Sequence, residues 1–189
     1  MDATRRTLLS RVKDRDDSRA WKEFTGLYRA LLLRYARACG LSAGEAKSVT
    51  ADCMATLADH IVSTSYDPCG GGFKLWLAAL AQDRIQNMLC RRGQSAGGAA
   101  THDKWQGAQS TLDEEFERIW SDEHLRHCLE QLRIEIEFKT FEAFRHIVVD
   151  GWSIDRVCER YDLTQPYVYA MKSRLTQRLR RLMYGLLGG

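Results

Sequence analysis

An all-α fold is expected, on three observations. Apolar residues recur at helical steps through most of the chain, the one β-branched cluster of note (Ile147, Val148, Val149) lies inside such a period, and only 2 residues are proline. The chain of 189 residues is long enough for one medium domain or two small ones. With 44% hydrophobic and 28% charged residues it can bury a core and solvate a surface, which argues against disorder and against a fibre. No apolar run approaches the roughly 20 residues that span a bilayer. Met1 to Lys13 is charged and has no apolar h-region. A cytoplasmic address and no membrane partner are the expectation.

The elements follow in order. Trp21, Phe24, Leu27, Tyr28, Leu31, Leu32, Tyr35 and Cys39 form one stripe of an amphipathic helix that Gly40 ends. Ser42 and Glu45 match a capping box for a second helix, striped by Val49, Cys53, Leu57 and Ile61. Tyr66-Asp67-Pro68-Cys69-Gly70-Gly71-Gly72 reads as a loop, since proline and three glycines disfavour regular structure. Phe73, Trp76, Leu77, Leu80, Ile85, Met88 and Leu89 predict a third helix closed by Cys90, Arg91, Arg92 and Gly93. Gly93 to Ser110 loses the apolar period and has the composition of a flexible connector. Two domains are therefore expected, 1–92 and 111–189, joined by 93–110.

Thr111 to Glu114 reads as a second capping box, before Phe116, Ile119, Trp120, Leu125, Cys128, Leu129 and Leu132. The next helix carries Phe141, Phe144, Ile147 and Val148 and stops at Gly151. Ser153 then caps a short helix with Ile154, Val157, Cys158 and Tyr161, a turn passes through Asp162 and Leu163, and Thr164 caps a last helix. Val168, Met171, Leu175, Leu179 and Leu182 stripe its inner face, and Pro166 is tolerated in its first turn. This is the pattern of a helix-turn-helix.

The net charge of +3 conceals an uneven distribution. From Leu163 onward there is no Asp or Glu, yet Lys172, Arg174, Arg178, Arg180 and Arg181 are present. Between Phe116 and Asp162 acids outnumber bases. A local basic face is therefore expected at the C-terminal helix. Gln165, Tyr169, Lys172, Ser173 and Thr176 are read as the face opposite the apolar stripe. Lys suits guanine and Gln suits adenine, while Arg174, Arg178, Arg180 and Arg181 suit phosphates. An ordinary solvated cationic helix remains the alternative at this point.

Other chemistry is weakly supported. The 6 cysteines form no C-x-x-C pair and read as reduced structural thiols. His124, His127 and Cys128 lack a second pair to complete four metal ligands, so no metal is expected. No nucleophile motif or phosphate loop appears, and the glycines at 70–72 lack the Lys-Ser/Thr of a nucleotide loop. Neither catalysis nor a cofactor is expected. Phe73 and Trp76 fall on the apolar stripe of their helix and are assigned to the core.

Both halves of the chain resemble one family. Phe141-Glu142-Ala143-Phe144, Gly151, Val157, Val168 to Arg174 and Arg180-Arg181-Leu182 look like the promoter-binding domain of bacterial RNA polymerase sigma factors, of the extracytoplasmic-function group and its planctomycete-type members in particular. Trp21 to Phe24, Tyr28, Arg34 to Arg37, Tyr66-Asp67-Pro68, Gly72-Phe73, Trp76-Leu77 and Arg91-Arg92 resemble that group's polymerase-binding and minus-ten-recognition domain.

The resemblance implies a sigma factor without catalysis of its own. Its partners would be core RNA polymerase (the largest subunit's clamp helices and the flap region), promoter DNA and, where one exists, an anti-sigma factor. Polymerase contacts would come from Ser48, Ala51, Asp52 and Thr56. The minus-ten strand would meet Tyr66, Lys74, Asp83, Arg84, Asn87, Arg91 and Arg92, with the loop from Ser63 to Gly72 capturing a flipped base. The minus-thirty-five element would meet Thr164, Gln165, Tyr169, Lys172, Ser173, Arg174, Thr176 and Arg178. Ser48 and Ala51 stand where relatives carry acidic and amide residues. They motivate the alternative of a sigma-derived helix-turn-helix regulator or interaction module that no longer engages polymerase productively.

Overall fold

The computed structural model describes residues 7–14, 16–63, 72–95 and 109–187. Its elements are α1 (Leu8–Arg11), α2 (Ser18–Ala38), α3 (Ala43–Ser63), α4 (Gly72–Ser95), α5 (Gln109–Glu135), α6 (Phe138–Val148), α7 (Ile154–Tyr161) and α8 (Gln165–Leu187), with no strand among the described residues. The fold is all-α, as the hydrophobic periods require.

Local chemistry fixes the helix ends. Asp17 caps α2 by accepting from the Ala20 N–H at 2.8 Å, and that bond, with Arg11 beside it, holds the Asp17 carboxyl below its usual range. Gly40 has φ of 84°, so it takes the left-handed conformation that ends a helix. The Gly40 N–H donates to the Arg37 carbonyl and the Leu41 N–H to the Ala36 carbonyl, and Leu41 is buried beneath this Schellman closure. The capping box that opens α3 forms reciprocally: the Ser42 N–H donates to Glu45 Oε2 at 2.7 Å and the Glu45 N–H to Ser42 Oγ at 3.3 Å.

Two boundaries differ from the sequence reading. Helix α4 runs through Gly93 to Ser95, because a glycine inside a helix costs only about 1 kcal/mol and Arg91, Arg92 and Gln94 favour the helix around it. Helix α5 is already formed at Gln109, so Thr111 lies inside it rather than at its start. The loop expected at 66–72 is outside the described residues apart from Gly72, which is the first residue of α4.

The contacts divide the chain into two compact units between His124 and Leu125, within α5 and C-terminal to the connector where the sequence places the division. In the first unit α2, α3 and α4 pack together. Tyr28 and Phe24 meet Phe73 of α4 at ring distances of 5.2 and 6.2 Å. The first half of α5 completes this core: Phe116 meets Tyr35 edge-on at 5.1 Å, and Trp120 lies 5.8 Å from Tyr28. Such tilted and edge-on rings add roughly 0.5–1.5 kcal/mol a pair beyond the area they bury. His124, fully buried, has Nδ1 2.7 Å from the Trp120 carbonyl and Nε2 3.5 Å from the Tyr28 hydroxyl. A carbonyl only accepts, so Nδ1 carries the hydrogen.

The second unit is built from the end of α5 with α6, α7 and α8. Cys128, Leu132, Phe141, Phe144, Val157, Val168, Met171 and Leu179 are buried, and the Cys128 thiol donates to Met183 Sδ at 3.5 Å. Gly151, with φ of 68°, closes α6. Trp152 then stacks flat on His146 at 3.9 Å and carries the Arg156 guanidinium on its ring at 3.8 Å. Ser153 Oγ accepts from the Arg156 N–H and starts α7. Asp162 ends it in the left-handed region, φ 50° and ψ 59°. Only Asp162, Leu163 and Thr164 separate α7 from α8, whose first bond runs from the Val168 N–H to the Thr164 carbonyl.

Candidate nucleic-acid interface

Val168, Met171 and Leu179 are buried, and Leu175 and Leu182 half-buried, so α8 lies on its apolar stripe as the period requires. At 3.6 residues per turn the remaining positions cover the rest of the circumference, on both sides of the stripe as well as opposite it. Gln165, Tyr169, Lys172, Ser173, Thr176 and Arg180 share one flank. Arg174, Arg178 and Arg181 lie on the other side of the stripe. The five residues read from the sequence as one face thus share a side of the helix, centred beside the stripe rather than directly opposite it.

Burial and pairing sort these residues further. Thr164, Gln165, Tyr169, Lys172, Ser173, Arg174, Arg180 and Arg181 are exposed, Tyr169 at 58%, while Thr176 is half-buried. Lys172, Arg174, Arg180 and Arg181 make no ion pair among the described residues. Arg178 is different: its guanidinium forks onto the Glu135 carboxylate of α5, with Nε at 3.0 Å and Nη2 at 2.8 Å. That pair occupies the Nε–Nη2 edge with which the guanidinium would fork onto a phosphate. Gln165 is also engaged, its Nε2 donating to Asp155 Oδ1 of α7 at 2.5 Å.

On α4, Leu75, Ala79, Asp83, Asn87 and Arg91 are exposed, one every four residues. Asp83, Asn87 and Arg91, three of the residues assigned to the minus-ten strand, therefore share a solvent-facing stripe. Arg84 flanks it and reaches Asp83 at 3.4 Å. Two others are engaged with neighbouring helices. Lys74 is paired with Glu117 of α5 and lies 5.6 Å from the Trp120 ring. Arg92 reaches the Gly40 carbonyl at 3.3 Å and Glu45 at 3.6 Å, tying the end of α4 to the turn between α2 and α3. Tyr66, and the loop expected to capture a flipped base, lie outside the described residues.

On α3, Ser48, Ala51 and Asp52 are exposed and share a face with Lys47, while Thr56 is half-buried and donates its hydroxyl to the Asp52 carbonyl at 3.1 Å. Phe73 is core, as its spacing requires. Trp76 is half-buried and stacks on His60 at 4.3 Å. His127 meets the Gln131 amide at 2.9 Å, and with His124 turned into the core the two rings do not converge on a common point. Burial pushes the Cys39 and Cys53 thiols up to about 11, which keeps them protonated and poorly nucleophilic.

Four acids shape this surface that no local pattern flags: Glu117 on Lys74, Glu45 on Arg92, Glu135 on Arg178 and Asp155 on Gln165. Each partner lies on another helix, so no i,i+4 spacing announces it. Comparison of the chain with protein-family models, with curated proteins and with solved structures finds no match.

Proposed function

We propose that this protein is an alternative sigma factor that binds core RNA polymerase and directs it to promoters. The observation that carries the reading is the state of α8: a long helix with no acid, seated on an apolar stripe, with Lys172, Arg174, Arg180 and Arg181 exposed and outside any ion pair among the described residues. A short helix precedes it across a three-residue turn. Such a helix suits a major groove, where lysine and arginine neutralise phosphates and polar side chains read base edges. The Asp83, Asn87 and Arg91 stripe on α4 supports a second nucleic-acid contact, with amide and guanidinium donors spaced along one face. The order of the two motif sets along the chain supports the same reading.

The test is reconstitution of the full chain with core polymerase on a library of promoter duplexes. Stable holoenzyme and open complexes are expected. Duplex binding without holoenzyme would overturn the sigma reading in favour of a helix-turn-helix regulator, the outcome that the small exposed Ser48 and Ala51 would favour. Lys172→Ala is expected to weaken duplex binding across sequences and to reduce the slope of log affinity against log salt by about 1.

A further inference from the structure

We propose that Asp155 is a specificity-determining positioning residue, which fixes the Gln165 amide in the one orientation that turns its oxygen toward a base edge. The inference rests on the reading of α8 as a DNA-reading helix and names what that helix selects.

Glutamine at a base edge is ambiguous. Its NH2 donates and its carbonyl accepts, so a freely turning amide serves adenine bidentately and other bases by one arm. Here the amide is not free to turn. Asp155 presents a carboxylate, which only accepts, so the group facing it is Gln165 Nε2, at 2.5 Å. Reversing the amide would set two oxygens against each other. One Nε2–H is spent on Asp155, which leaves Oε1 as an acceptor and the second N–H as a donor, in a fixed order, for an outside partner.

Position and rigidity reinforce the selection. Gln165 is the first residue of α8, Asp155 lies in the first turn of α7, and both side chains are exposed. The backbone between them is fixed by the left-handed Asp162 closure and by the bond from the Leu163 N–H to the Cys158 carbonyl. A fixed acceptor in the major groove pairs with an exocyclic amino group, the N6 of adenine or the N4 of cytosine. It meets only other acceptors on guanine and only O4 and a methyl on thymine. The base that satisfies Oε1 is therefore adenine, whose N7 also accepts from the second N–H, or cytosine.

The experiment selects duplexes from a randomised pool with the full-length chain, alone and in holoenzyme, for the wild type, Asp155→Ala, Gln165→Ala and the exchange Asp155→Asn with Gln165→Glu. The wild type is expected to require adenine or cytosine at one position. Asp155→Ala should admit guanine and thymine at that position while overall affinity falls less than about tenfold, and Gln165→Ala should make it degenerate. The exchange restores the geometry with roles reversed: the amide now on α7 donates to the carboxylate now on α8, whose second oxygen is left outward as an acceptor. The adenine-or-cytosine requirement should then return. Thermal unfolding of each variant separates a lost preference from a lost fold. A selected site whose base preferences are identical in the wild type and Asp155→Ala overturns this inference and leaves the sigma reading standing. Absence of any sequence-selective duplex binding, alone or in holoenzyme, overturns both.

Discussion

Asp162 is the one residue other than glycine among the described residues with positive φ, and it stands at the turn between α7 and α8. A left-handed L residue costs about 1–2 kcal/mol, less for Asp, whose short polar side chain bonds locally. Asp162→Gly should therefore raise stability by roughly 0.5–1 kcal/mol and Asp162→Ala should lower it by about the same amount, both read from urea unfolding midpoints. If glycine destabilises, the side chain contributes more to this turn than its backbone costs. The turn was legible in the sequence, because a stop is needed between the periods that end at Tyr161 and begin after Thr164. The 2.5 Å bond from Gln165 to Asp155 was not, since ten residues and a turn separate the pair.

Among the elements, α3 offers a pH test. The Ser42 N–H and hydroxyl hold the Glu45 carboxyl below its usual range, with Arg92 adding to the effect. A carboxyl depressed in the folded state contributes stability at pH above its unfolded value and loses it as pH falls through the folded one. Glu45→Gln should thus flatten the acid side of the stability profile, below about pH 4.5, and change little at pH 7 beyond the loss of the charged bond. Ser42→Ala removes the reciprocal hydroxyl and should cost about 1 kcal/mol across the range. A Glu45→Gln profile that overlays the wild type in acid would show that the box contributes nothing there. Helix α8 offers a salt test. Arg178 is bound to Glu135, so Arg178→Ala should leave the salt slope of DNA binding unchanged where Lys172→Ala reduces it. An equal drop in slope for both would mean that Arg178 leaves Glu135 for phosphate. The sequence, which records charge but not pairing, places Arg178 with the phosphate contacts.

For the whole molecule, the helices were legible because each carries an uninterrupted period and several carry their own caps: Ser42 with Glu45, Gly40, Ser153 and Gly151 all act where they stand in the chain. The division into units was less so. A Gly- and Ala-rich stretch marks where the chain loses its period, but whether the next helix packs backward or forward depends on side chains far apart in sequence, such as Tyr35 and Phe116. Phe116, 2% exposed between Tyr35 and Trp120, should cost about 3–5 kcal/mol on replacement by Ala. A chain cut after Ser95 should fail to unfold cooperatively in urea, whereas one cut after Glu135 should do so. Equal midpoints for the two would remove α5 from the first core.

The buried imidazole of His124 gives that core a built-in clock. Its Nδ1 hydrogen is held against the Trp120 carbonyl with no exposed ring surface, so it trades with solvent deuterium only when the helices around it part. The decay of that one proton signal would time the opening of the first unit in an unlabelled protein.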